Sequence, residues 1–297
     1  MNKEILIYNI HNYSNMKNVF EKLENIPYAV IKGEPLSFLC YGEYSMRHRG
    51  DIDILVPREY IEEVEKILIT EGFMNNLNNK TENRKNRILC LAYSHQLPPF
   101  IKETKNGRIE VDVNFDILWG ECKFKNIDIK NFLSDPYIQK IHGCNVKTLS
   151  PLKSALQLIL HHYKEMNSLY HLAVHPCIKR EMFYDVYLLL KNNSNEITAK
   201  NLYLLSEKYK VSPYIYYVLY YTNIIFNEPF LKQYCEFFEC PKGNKLINCY
   251  GLDEKERKEW HVDFSSRLDN ENLFDLIKND LSKEDIDKIK RGVEIFG

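Results

Sequence analysis

Arg47-His48-Arg49-Gly50-Asp51-Ile52-Asp53-Ile54-Leu55-Val56 reads as a loop feeding a short apolar strand that opens with two carboxylates at i and i+2. Successive strand side chains point to opposite faces. Asp51 and Asp53 therefore project from one side, and Ile52, Ile54 and Val56 from the other. Two acids on one face outline a site for a hard divalent cation, which takes oxygen ligands from one or two carboxylates together with substrate phosphates. An acid pair at a strand end also fits a merely solvated terminus, so the flanking sequence has to decide.

Upstream, Met16, Val19, Phe20, Leu23 and Ile26 recur at helical spacing, which predicts a helix over 14–26 with Ser14 as its N-cap and Pro27 as its stop. The β-prone run Tyr28–Ile31 then meets Lys32-Gly33, and Glu34-Pro35 opens an apolar segment to Tyr41. Strand, glycine, helix start is a geometry that brings backbone N–H groups up to an anion, and Lys32 adds a positive charge. Arg47 and Arg49 precede the acid pair. Their guanidinium forks suit phosphate oxygens, and they suit a local ion pair with the aspartates equally well.

Downstream, Pro57 stands where a helix begins, with Ile61, Val64, Ile67 and Leu68 as its buried stripe and Gly72 as its end. The polar run Phe73–Arg87 predicts a mobile loop, and its Lys80, Arg84, Lys85 and Arg87 offer a local basic patch. Ile88–Ser94 and Phe100–Glu103 are the next strand candidates. Asn106-Gly107 is the strongest hairpin signal in the chain and leads into Arg108–Phe115. Alternation there puts Ile109, Val111, Val113 and Phe115 on one face and Glu110, Asp112 and Asn114 on the other, so a third acid is available on a second strand.

Composition narrows the classes. The 297 residues suffice for one large domain or two ordinary ones, and 44% hydrophobic residues support a sizeable core. Forty basic against forty-one acidic residues give a net charge of -1, which argues against a protein built to coat nucleic acid. The apolar run Ile5–Ile10 is too short for a signal peptide or a membrane span, so no membrane partner and a cytoplasmic location are expected. The eight cysteines are scattered, which favours reduced thiols over disulfides. Cys235, Cys240 and Cys249 lack the paired spacing of a structural zinc site.

The ordered set Lys32-Gly33, Tyr41, Arg47 or Arg49, Asp51-Ile52-Asp53, His95 before a hairpin, and Asp112 in an apolar strand resembles the bacterial nucleotidyltransferases of the DNA polymerase beta superfamily, whose members are largely uncharacterised. The likeness covers roughly residues 28 to 118. Where that family often carries histidine two positions beyond the third acid, this chain has Asn114. The resemblance implies an α+β fold, with a nucleotidyltransferase domain of mixed sheet and flanking helices over 1–148 and a mainly helical domain over 149–297 that completes the substrate cleft.

Near Thr148 helical patterns take over, starting with Ser150-Pro151 as cap and first position. Lys179–Leu190, Thr198–Tyr209 and Tyr214–Phe226 read as helices, followed by the shorter Glu228–Cys240, a break at Lys242-Gly243-Asn244 and a capped helix after Ser282. The tyrosines Tyr203 through Tyr221 can stack a nucleobase, though helix packing is their commoner use. His161, His162, His171 and His175 read as ordinary polar or core histidines rather than metal ligands. By resemblance His161, Lys164 and Asp185 are candidates for the cleft.

The implied chemistry is transfer of a nucleoside monophosphate from ATP or another nucleoside triphosphate to a hydroxyl acceptor, with release of pyrophosphate. Asp51, Asp53 and Asp112 would hold two magnesium ions. Paired ions of this kind stabilise both the attacking and the leaving oxygen of an in-line displacement. Lys32, Gly33, Arg47, Arg49, His95 and Lys164 would contact the nucleotide. A small-molecule acceptor fits the near-zero net charge. A tRNA or protein hydroxyl as acceptor, a glycosyltransferase using an Asp-x-Asp pair on a nucleotide sugar, and a catalytically silent binding module are the alternatives.

Overall fold

The computed structural model describes residues 3–46, 50–75, 80–119, 127–175 and 178–296. The chain forms two compact units, one over Met1–Gly120 and Ile127–Ser154, the other over Glu121–Asn126 and Ala155–Gly297.

The first unit contains helix α1 (Lys3–Lys22), strand β1 (Ala29–Ile31), helix α2 (Gly33–Tyr41), strand β2 (Asp51–Leu55), helix α3 (Ile61–Thr70), the two-residue strand β3 (Met74–Asn75) and helix α4 (Lys80–Tyr93). Strands β4 (Phe100–Thr104) and β5 (Gly107–Asn114), the short helix α5 (Ile129–Phe132), and strands β6 (Tyr137–Ile141) and β7 (Cys144–Thr148) complete it. The strands make one mixed sheet in the order β3-β4-β5-β2-β1-β7-β6. β2 runs parallel to β5 and β1 parallel to β7, and the other neighbours are antiparallel. Ile52, Ile54, Val111 and Val113 face a core shared with Met16, Val19 and Phe20 of α1 and Val64 and Leu68 of α3. Apolar residues at alternate positions fill that side, so the acids between them are left on the other.

The second unit is helical. α6 (Pro151–Asn167) leads into it, and α7 (Leu169–Val174), α8 (Arg180–Asn192), α9 (Ala199–Lys208), α10 (Ser212–Phe226), α11 (Pro229–Phe238) and α12 (Pro241–Leu246) follow. A small ribbon, β8 (Cys249–Tyr250) with β9 (Lys258–Glu259), precedes α13 (Phe264–Arg267), α14 (Leu273–Ile277) and α15 (Lys283–Phe296). Tyr217 and Tyr221 are buried and packed edge-on to one another, so these two tyrosines serve helix packing. Ser282 caps α15 as expected: its hydroxyl accepts from the Asp285 N–H at 3.2 Å while the Asp285 carboxylate accepts from the Ser282 N–H at 2.8 Å. No helix among the described residues is long and apolar enough to cross a membrane.

Four elements differ from expectation. The first helix starts at Lys3 rather than Ser14, and its buried face begins with Asn9 and Asn12, polar residues that hide a helix from a hydrophobic-period reading. The segment read as a loop and then a strand at Ile88–Ser94 is helix α4 from Lys80 onward. Its stripe is weak, and Arg87, paired in a bidentate fork with Glu65 of α3, ties it down instead. The expected break at Lys242-Gly243-Asn244 lies inside α12, where the Cys240 Sγ accepts from the Gly243 N–H at 3.3 Å. The β6–β7 hairpin, turning on His142 (φ 45°) and Gly143 (φ 86°), was not foreseen.

Candidate functional site

The parallel pairing of β2 with β5 sets the site. Its register places Asp53 beside Asp112 and Asp51 beside Glu110, so the acids of both strands share a face. Carboxylate oxygens of Asp51, Asp53 and Asp112 all lie within 4.8 Å of one another. Asp53 is buried and the other two are partly exposed. Glu110 is drawn aside by Arg108, whose guanidinium donates to it at 2.8 Å.

Each acid has a distinct neighbourhood. Asp53 accepts from the Lys32 ammonium at 2.9 Å and from the Asn114 amide at 3.1 Å through the same oxygen. Asn114, where the resembling family often has histidine, therefore holds an acid in place. Asp112 accepts a long hydrogen bond from the Gln96 amide at 3.4 Å. Burial pushes the Asp112 carboxyl up to about 7, the charges of Asp53 and Asp51 push it the same way, and Lys32 offsets them in part. The neighbouring carboxylates disfavour a further negative charge on Asp112 more than Lys32 favours it.

The turn before α2 carries backbone strain. Lys32 adopts φ 58° and ψ -147°, a region that side chains other than glycine rarely enter, and Gly33 follows at φ 43°. The turn aims the Lys32 ammonium back at Asp53. Gly33 lines a recess together with Asn9, Asn12, Tyr13, Glu34, Asp51 and Asp53. Beneath it, the buried Glu34 carboxylate accepts from the Ser45 N–H at 2.9 Å and from the Asn9 amide, and it lies 3.2 Å from His142 Nε2. These contacts fasten α2 to α1, to the loop before β2 and to the β6–β7 turn.

Of the residues singled out from sequence, Asp51, Asp53, Asp112, Lys32 and Gly33 come together. His95 is partly exposed just beyond α4, where its carbonyl accepts from the Phe115 N–H at 2.8 Å, and its neighbour Gln96 donates to Asp112 at 3.4 Å. Arg47 and Arg49 lie outside the described residues. Lys164 and His161 are on α6 and Asp185 is buried on α8, all in the second unit. The sequence reading missed Glu34, His142, Gln96 and the asparagines of α1. Only the His142-Gly143 pair carried a signal, as a hairpin turn.

An all-oxygen donor set is what hard divalent cations take, and the upward shift of Asp112 is the electrostatic mark of a site that lacks positive charge. The residues fit a metal ion. Residues 2–227 match the family described as "Uncharacterised nucleotidyltransferase". The chain belongs to this family. The crystal structure of an antigenic nucleotidyltransferase-like protein from Paracoccidioides brasiliensis is similar at 17% identity, over 65% of this chain and 92% of that one, with a TM-score of 0.32. No curated protein matches the chain.

Proposed function

We propose that the chain is a magnesium-dependent nucleotidyltransferase that moves a nucleoside monophosphate from ATP or another nucleoside triphosphate to a hydroxyl on a small molecule, releasing pyrophosphate. The convergence of Asp51, Asp53 and Asp112 on two neighbouring parallel strands carries this reading. Asp51, Asp53 and Asp112 would hold the magnesium, which supplies charge neutralisation at the triphosphate and lowers the pKa of the acceptor hydroxyl.

The chain's own residues supply the rest. The ammonium of Lys32, which donates to Asp53 at 2.9 Å, would be available to the departing phosphates if Asp53 held a cation. The N–H of Gly33, at the start of α2, adds a donor on the same side. Asp112, held near neutrality in pKa before ligands bind, is suited to take the acceptor's proton. Asn114 and Gln96 fix the orientation of Asp53 and Asp112. His95, Arg47 and Arg49 are further nucleotide contacts in this reading. A net charge of -1 supports a small acceptor over an extended polyanion.

Incubation with each α-labelled nucleoside triphosphate and magnesium, with and without cell extract, tests the proposal. Label should move to a small molecule in the wild type and stay on the nucleotide with Asp53→Asn. Label on RNA or protein would overturn the acceptor class. Equal transfer by Asp53→Asn would overturn the site.

A further inference from the structure

A second group of ligand-bearing side chains stands on α6, within the second unit. Nε2 of His161 lies 3.1 Å from Oε1 of Glu165, and Nδ1 of His162 lies 3.6 Å from Oε2 of the same carboxylate. Ligand atoms of all three lie within 4.8 Å of one another. Helical spacing explains the grouping. Glu165 follows His161 by four residues and His162 by three, so it sits one turn along, within reach of both rings.

Two observations separate this group from a solvated ion pair. His162 is 1% exposed, and neither of its ring nitrogens has a hydrogen-bond partner in the protein. The 3.6 Å approach to Glu165 is too long for such a bond, so the ring has been taken out of water without compensation. A buried imidazole with unused nitrogens beside a carboxylate and a second imidazole is a half-built coordination sphere.

We propose that His161, His162 and Glu165 bind a divalent transition-metal ion of the zinc class. Two imidazole nitrogens and one carboxylate oxygen are a donor set that borderline ions favour over magnesium, and three protein ligands leave a position for water or substrate. Coordination gives His162 the partner it lacks. The site stands apart from the aspartate triad in chemistry, and the proposal does not rest on nucleotidyl transfer.

Cobalt(II) is the probe, because its visible d–d absorption reports a nitrogen-containing, low-coordinate ligand set. The full chain, stripped with chelator, is titrated with cobalt and then with zinc as competitor, in excess magnesium. The wild type should bind one equivalent with a visible band that zinc removes, and Asp53→Asn should leave the band unchanged. Glu165→Gln and His161→Gln should each weaken binding at least about tenfold. Since His162→Gln disturbs the core, the two part-exposed positions carry the test, with far-UV circular dichroism as the check on fold. No band in the wild type, a band that survives Glu165→Gln at full affinity, or a band lost in Asp53→Asn would each overturn the site.

Discussion

Asp112 and Glu165 are both carboxylates set among ligand-bearing neighbours, and their proton affinities move in opposite directions. Asp112 rises to about 7 because burial is joined by two further carboxylates. Glu165 falls well below the ordinary range because two imidazoles outweigh burial. The origin of each group explains the contrast. Strand register stacks like residues side by side, so Asp53 and Asp112 are forced together and the Lys32 ammonium offsets their repulsion only in part. A single helix turn brings unlike residues together and can neutralise itself. The first arrangement favours hard cations held by oxygen, and the second favours borderline cations held by nitrogen.

The largest effect should come from breaking the first group while sparing the second. Asp53→Asn should lower magnesium-dependent transfer by at least about a hundredfold, on the scale of losing one charge-stabilising group. Labelled-triphosphate turnover measures it, and a loss under about threefold would detach Asp53 from catalysis.

Next in size is the pH response of the metal-free chain. Because the Asp112 carboxyl is raised from 3.8 to about 7 in the fold, the folded state binds its proton more tightly than the unfolded one. Its contribution to stability is therefore full below about pH 4 and is lost as pH rises through about 7, by a few kcal/mol at most. Denaturant melts between pH 5 and 8 should show this decline, and Asp112→Asn should flatten it. An identical slope in the variant would show that Asp112 is not the group responsible.

Asn114→Ala removes the amide that holds Asp53 and should weaken manganese binding by about 10- to 100-fold, the usual cost of losing an outer partner of a metal ligand. Titration calorimetry reads it, and unchanged affinity would make Asn114 a bystander. The smallest effect has two signs. Lys32→Met deletes the ammonium that now occupies Asp53, so metal should bind severalfold tighter without nucleotide while the triphosphate binds more weakly. Both moving the same way would contradict the dual role given to Lys32.

The legible part of the molecule is the part whose sequence alternates with a period of two. Asp51-Ile52-Asp53-Ile54 and Ile109-Glu110-Val111-Asp112-Val113 each declare an apolar and an acidic face, and the hairpin at Asn106-Gly107 fixes where the second strand begins. What stayed hidden is polar and buried. The start of α1 shows Asn9 and Asn12 to the recess rather than apolar residues to a core, so its periodicity is silent. Glu34 reads as an ordinary acid in a first helical turn, and its partners Ser45 and His142 lie 11 and 108 residues away, a distance that only the folded sheet closes. The His161–Glu165 group had the right spacing in plain view. What sequence could not supply was the burial of His162 and the lack of a partner for its ring.

The central claim is that the three strand carboxylates act together on cations beside the strained Lys32-Gly33 turn. Electron paramagnetic resonance of manganese, titrated into the full chain with a non-hydrolysable triphosphate analogue, tests it most directly. The account predicts that Asp51→Asn, Asp53→Asn and Asp112→Asn each abolish nucleotide-dependent manganese binding or weaken it by at least about tenfold. Wild-type affinity and stoichiometry in any one of the three variants would contradict it.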